Sequence, residues 1–298
     1  MSAAVEQALA LMRDRSPDSV DKALALLQNT VYSFSMKVCG HPEDAEDTTQ
    51  EVLLRSIPHL PNFKSSRALA VWLYKVARNR CISHRRGDKN SATKNISLDE
   101  LMPDHRELSE LLSRTPSPEA VALNRESAEH LRQAIAATPP TYRMVLVLHD
   151  MEELSTVEVA QVTGLREGTV RVRLHRARLL VRRYLADLAN GMLPDGVSLP
   201  AAADPGRPQR CRRLFAALSD YMDGLLDDAV CEEMDRHIGQ CEPCQAFLAS
   251  LKQAVAQCRS YAPQFESRRA DELRQKLVRK YQQAVAGLEK ARSQTAVN

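Results

Sequence analysis

An all-helical fold is what this sequence predicts, and three observations carry the prediction. Apolar residues recur at steps of three and four in several segments. Only 10 of the 298 residues are Gly and aromatic residues make up 4%, too few for a β-rich chain. The breaks between the apolar segments carry helix start and stop signals. At 44% hydrophobic and 27% charged, the composition is that of a globular chain of two or three domains. No apolar run approaches the roughly 20 residues that a bilayer crossing needs. The N-terminus MSAAVEQALALMRDRSPDSV mixes acids and arginines where a secretory signal needs an uninterrupted apolar stretch, so the expected location is the cytoplasm. In such a reducing compartment seven Cys point to metal binding or redox sensing, not to a static disulfide framework.

The elements follow in order. Val20, Leu24, Leu27, Val31 and Phe34 place one apolar stripe on a helix that breaks at Gly40. His41-Pro42-Glu43-Asp44 restarts the chain with Pro at the first helical position and acids in the first turn. Leu69, Trp72, Leu73 and Val76 form a third stripe, whose helix runs on to Arg86 and closes a first domain over 1–87. Residues 88–120 are polar and hold Pro103, Pro116 and Pro118, a linker with at most short helices around Leu108 to Leu112. A second helical domain spans 121–189. Within it, Thr138-Pro139-Pro140-Thr141 is a break before a buried helix from Tyr142 to Met151, and Ser155-Thr156-Val157-Glu158 is a capping-box signature. Thr163-Gly164 ends that short helix, and a new, arginine-rich helix begins near Glu167: the outline of a helix-turn-helix. Residues 190–210, rich in Pro, Gly and Ala, form a second linker. The last unit, 211–298, ends in a tail with a single-faced stripe of Leu273, Leu277, Tyr281, Val285 and Leu288.

A net charge of +3 hides segregation. Residues 75–86 carry five Lys or Arg and no acid, and 165–183 carry seven Arg and one Glu, whereas 41–51 hold five acids and 220–235 hold seven acids with no Lys or Arg. Surfaces of opposite sign imply separate partners. Arg171, Arg173, Arg176 and Arg178, with Thr169 and His175, lie on successive turns of the last basic helix. Their guanidinium groups suit guanine edges and phosphates, while Val170, Leu174, Ala177 and Leu180 face inward.

Cys211, Cys231, His237, Cys241 and Cys244 give an H-x3-C-x2-C pattern with a thiol 26 residues upstream of the His. His237 and Cys241 stand one helical turn apart, and Glu242-Pro243 lets Cys244 fold onto the same ion, a geometry that suits tetrahedral zinc. Cys211 or Cys231 supplies the fourth ligand. A closed shell leaves no position for a substrate water, which argues against catalysis. Cys39, Cys81 and Cys258 have no spacing argument and read as packing residues.

DAEDTTQEVLLR (44–55), WLYKVARNRCISHRR (72–86) and TPPTYRMVLVLHDMEELSTVEVAQVTGLREGTVRVRLHRAR (138–178) together resemble regions 2 and 4 of an extracytoplasmic-function (ECF) sigma factor of the sigma-70 family, over roughly residues 20–188. The resemblance implies a two-domain initiation factor that is no enzyme. By it, Asp44, Asp47, Gln50, Glu51 and Arg55 grip the clamp helices of the RNA polymerase β′ subunit. Lys75, Arg78, Asn79, Arg80, Arg85 and Arg86 capture the promoter's minus-10 element. The helix from 167 to 178 reads the minus-35 element, and the second domain also meets the β flap. CRRLFAALSDYMDGLLDDAVCEEMDRHIGQCEPC (211–244) is similar to the zinc-containing anti-sigma domain. That similarity implies an extension folding back on the sigma domains, with its tail helix on one of them, and thiols that act as a redox or metal switch, with copper possible as the signal. The 190–210 linker would hold this extension at an effective concentration of about a millimolar. A helix-turn-helix regulator acting on duplex DNA without polymerase is the rival expectation.

Overall fold

The computed structural model describes residues 3–14, 16–85, 96–113, 125–191, 208–265 and 268–295, and among them the secondary structure is helical throughout, with no strand. The helices are α1 (Ala3–Asp14), α2 (Pro17–Cys39), α3 (Pro42–Ser56), α4 (Ser66–Arg85), α5 (Leu98–Leu101), α6 (His105–Ser113), α7 (Arg125–Ala137), α8 (Pro140–Leu146), α9 (Thr156–Thr163), α10 (Glu167–Ala189), α11 (Gln209–Met222), α12 (Asp228–Ile238), α13 (Glu242–Ser260) and α14 (Arg268–Thr295). They form two compact units, one made of residues 1–90, 152–164 and 262–298, the other of 91–151 and 165–261.

The first unit is built on α2, packed against α1, α3, α4 and α14. Ser16 caps α2 by accepting from the Ser19 N–H at 3.2 Å, and Gly40, at φ 85°, closes it with an N–H bond to Met36 O. A left-handed closure of this kind suits glycine, which has no Cβ to clash. The stripe read from the sequence is the core: Leu24, Leu27, Val31 and Phe34 have no exposed surface and Val20 only 3%. Helix α1 was not anticipated. It buries Val5, Ala8, Leu9 and Met12, a three-and-four spacing that marks one helix face. Cys39 and Cys81, expected to be packing residues, instead form a disulfide between the end of α2 and the C-terminal part of α4, with Cα atoms 5.8 Å apart. Their pairing has no local signature, because 42 residues separate them.

In the second unit, α10 packs on α7, α8, α11 and α13. Helix α8 starts at Pro140 and passes into a π-helical turn over Val147–Met151. Val170, Leu174, Ala177, Leu180, Val181 and Tyr184 of α10 are buried, as the helical period requires. Part of the polar 88–120 stretch is packed: Ile96, Leu101 and Met102 are buried, Ser97 and Glu100 form a capping box on α5, and α6 lies on α13. Glu107 of α6 pairs with Arg182 and Arg183 of α10, and the Arg182 guanidinium lies 4.3 Å from the centroid of the Phe247 ring of α13. Most of the 190–210 linker, Arg86, and the side chains of Arg85 and Leu288 lie outside the described residues.

Candidate metal centre and nucleic-acid interface

Four ligand-type side chains converge in the second unit. Cys211 comes from the first turn of α11 and His237 from the last turn of α12. Cys241 is the N-cap of α13, and Cys244 sits in its first turn, where the N–H groups favour negative charge. Their ligand atoms all lie within 4.8 Å of one another. His237 Nε2 is 3.5 Å from Cys211 Sγ and 3.3 Å from Cys244 Sγ. Cys211 and His237 are buried and the other two half-buried. Cys231 stands apart, its thiol directed at Leu226 O at 3.9 Å, so the fourth member of the group is Cys211. Three thiols and one imidazole at this spacing can hold a single tetrahedral metal ion. Leu214, Phe215, Leu218, Met234 and Phe247 wall the site with apolar surface.

The basic helix α10 presents two faces. Arg171 is exposed, and Thr169, Arg173 and Arg176 are half-buried, open enough to reach a ligand. His175 and Arg178, read from the sequence as DNA-facing, are turned inward under α11. Arg178 donates Nε and Nη2 to the two oxygens of Asp150 at 2.7 and 2.6 Å, and Nη1 and Nη2 to Asp223 at 2.9 and 2.8 Å. Burial alone would raise the Asp150 pKa, but the hydrogen bonds from Arg178 and His149 outweigh it and bring the carboxyl down to about 2. His175 places Nδ1 2.8 Å from Ser219 Oγ and packs its ring edge-on to Phe215. Burial first, then the charges of Arg178 and Arg176, push its pKa down to about 4, so it is neutral near pH 7. Asp223 and Ser219 belong to α11 and its cap, 41 to 45 residues away in sequence, and no local pattern marks them as partners of the basic helix.

In the first unit, Lys75 and Asn79 are exposed on α4, and Arg78 is half-buried with a bond to Asn79 Oδ1 at 3.1 Å. On α3, Asp47, Gln50 and Arg55 are exposed, and Asp44 and Glu51 half-buried. Glu51 pairs with Arg55 at 2.6 Å and with Arg80 at 2.7 Å, joining residues assigned from the sequence to different partners. These residues line a surface groove together with Val52, Val76 and Asn79. The tail helix α14 lies along α2 and α3. Arg269 pairs with Glu46 at 2.8 Å, and its pKa is raised by that bond and charge, with Glu43 and Asp47 adding to it. Gln28 donates to Ala270 O at 2.8 Å, and Tyr32 stacks on Phe265 with ring centroids 4.3 Å apart. Glu46 and Arg269 were missed in the sequence; the acidic run at 41–51 and the tail stripe were the available signals.

Residues 24–91 match the family model described as Sigma-70 region 2, residues 128–181 match Sigma-70, region 4, and residues 211–245, which contain all four members of the thiol-imidazole group, match Putative zinc-finger. The chain is thus a helical protein with two sigma-70 domains followed by a zinc-finger-type domain. Among curated proteins it is similar to the ECF RNA polymerase sigma factor SigW of Bacillus subtilis, 29% identical over 179 residues that cover 59% of this chain and 91% of the relative. It is also similar to SigE of Mycolicibacterium smegmatis, 30% identical over 56% of this chain and 62% of the relative. SigG of Mycobacterium tuberculosis is 28% identical over 245 residues, 76% of this chain and 63% of the relative. All three of these relatives are named as ECF RNA polymerase sigma factors.

Proposed function

We propose that this protein directs RNA polymerase core to specific promoters and is regulated in cis by its zinc-finger-type extension. Region 2, within 1–87, would use Asp44, Asp47, Gln50, Glu51 and Arg55 against the β′ clamp helices and the basic end of α4 against minus-10 DNA. Region 4, within 121–189, would use Thr169, Arg171, Arg173 and Arg176 against minus-35 DNA and meet the β flap. His175 and Arg178 would become available only when α11 leaves. The work is positioning and strand capture, with no covalent chemistry, and its place is the cytoplasm, where promoters and polymerase are. The observation that carries this reading is the order of the matched domains, region 2, region 4 and then the thiol-imidazole domain, on one chain.

Zinc suits the extension. With Zn–S of about 2.3 Å and Zn–N of about 2.0–2.1 Å, tetrahedral coordination sets S···N near 3.5 Å, and the two shortest separations here are 3.5 and 3.3 Å. Cys211, His237, Cys241 and Cys244 would hold the ion, which when bound supplies a cross-link between the ends of α11, α12 and α13. Oxidation of these thiols, or their capture by a softer metal such as copper, would loosen that cross-link and free the sigma domains. Run-off transcription by the full chain and by a version ending near Gly206, with zinc and thiol content measured on the same samples, tests the proposal. Higher output from the shortened form is expected; no core-dependent initiation by either form, under any metal or redox condition, would overturn it. Asp47→Lys should abolish capture of core polymerase, which also separates this function from that of a regulator acting on DNA alone.

A further inference from the structure

The geometry points to a latch inside the sigma moiety itself: the segment Glu152–Glu158, which leads into the first helix of the helix-turn-helix, is docked on region 2 by two ion-pair clusters, and this docked state tethers the start of the reading helix that follows and so holds back initiation. The inference rests on the sigma reading above, and it adds a restraint that does not need the zinc domain.

The first cluster is buried. Glu152 accepts from Lys37 Nζ on α2 at 2.8 Å through one oxygen and from Tyr74 OH on α4 at 2.6 Å through the other. The Lys37 and Glu152 side chains are 5% and 7% exposed and Tyr74 1% exposed. The second cluster is at the surface. Arg67 on α4 makes a two-pronged pair with Glu158, one prong at 2.7 Å from Nη2 to Oε2, and reaches Ser155 Oγ at 3.3 Å. Glu158 also completes the capping box of α9 by accepting from the Ser155 N–H at 2.8 Å, so the pair grips the helix by its N-terminus. Helix α9 packs on α4, and Glu153, at φ 57°, turns the chain between Glu152 and the cap.

Three features suit these contacts to release. The partners lie 78 to 115 residues apart, so none of them is needed to build a local element. A buried Lys–Glu pair is costly to break only while its partners stay buried; undocking returns both charges to water, so opening strands neither. The Arg67–Glu158 pair is largely solvent-exposed on its Arg side, so it is screened by salt and loosens as ionic strength rises. Because α9 leads directly through Gly164 into the reading helix α10, docking of 152–163 tethers the start of that helix, and undocking frees it.

Amide hydrogen exchange on the full chain, run beside transcription with core polymerase, tests the latch. The variants are Arg67→Gln, Glu158→Gln, which keeps a capping-box side chain, and Glu152→Gln, which leaves Lys37 buried against a neutral amide. Exchange in 152–163 should rise about three- to fivefold for Arg67→Gln and Glu158→Gln and about tenfold or more for Glu152→Gln, with α2 and α3 unchanged. The double variant Arg67→Gln/Glu158→Gln should exceed neither single one, since one pair is removed in each case. Output should rise in the same order, both in the full chain and in the form ending near Gly206. Unchanged exchange in all variants overturns the latch. Faster exchange with unchanged output, while the wild-type short form initiates normally, overturns its inhibitory role but leaves the sigma reading intact. No initiation by any form fails the sigma reading and that role with it, while the exchange data still report the docking.

Discussion

Arg178 shows how far a side chain can depart from its helix's general character. Its helix is the most basic segment of the chain, yet this guanidinium satisfies two carboxylates in the interior, and the neutral imidazole of His175 sits one turn before it. The pH dependence follows. His175 has a folded pKa of about 4 against an ordinary value of 6.5, so between those values the unfolded chain binds a proton that the folded chain refuses. Stability is therefore full above about pH 6.5 and declines as pH falls toward 4, by about 3 kcal/mol if the whole shift is realised. Denaturant unfolding at pH 7 and pH 5 should show this loss in the wild type and a smaller one in His175→Gln. The comparison between the two proteins isolates the contribution of His175. Asp150 acts lower, in a separate window: its carboxylate contributes above about 3.8, and that contribution is lost as pH falls toward 2.

Among the elements, α13 joins the metal-type site to the helices around it. Its N-cap and first turn hold two of the four metal-type ligands, and its body, with Phe247, Leu248 and Leu251 buried, packs on α6 and α10. A metal bound at its N-terminus would fix that end against α11 and α12, whose mutual contacts are otherwise few for a three-helix unit. Chelation, or Cys244→Ser, should therefore abolish binding of one equivalent of zinc, read by elemental analysis. It should also lower helical content by far-UV dichroism by about the share held in α11 and α12, while α2 to α4 stay folded. What was legible at this scale was whatever has a period or a cap. The α2 stripe, the Ser155 to Glu158 box and the Gly164 stop are local, and local chemistry is written in the sequence. The choice of Cys211 over Cys231 needed the fold of α11 against α12. The Cys39–Cys81 pairing and the burial of Arg178 depend on chain segments more than 40 residues apart, which periodicity cannot see.

On the scale of the whole molecule, charge segregation in the sequence becomes charge pairing in the structure. The acidic surface of α3, expected to meet polymerase, is partly neutralised by Arg269 of the tail, with Arg274 reaching Asp21 at 3.3 Å on α2. Each pair is open to water at its Arg end, so each is weak and yields to salt. Arg269→Glu should place like charge beside Glu43, Glu46 and Asp47, detach the start of α14 and strengthen capture of core polymerase by the full chain several-fold in a pulldown at low salt. The difference should vanish in the form ending near Gly206.

Residues 208–261 belong with the unit that carries the basic helix α10, and 262–295 with the unit that carries the acidic helix α3. A single proteolytic nick near Pro263 would therefore split the extension into two fragments with different fates: the cover over Arg178 would remain on the chain, while the peptide lying across α3 could diffuse away. One cleavage would uncover the acidic face of α3 and leave Arg178 enclosed, so that the two charged helices could be freed by two successive events.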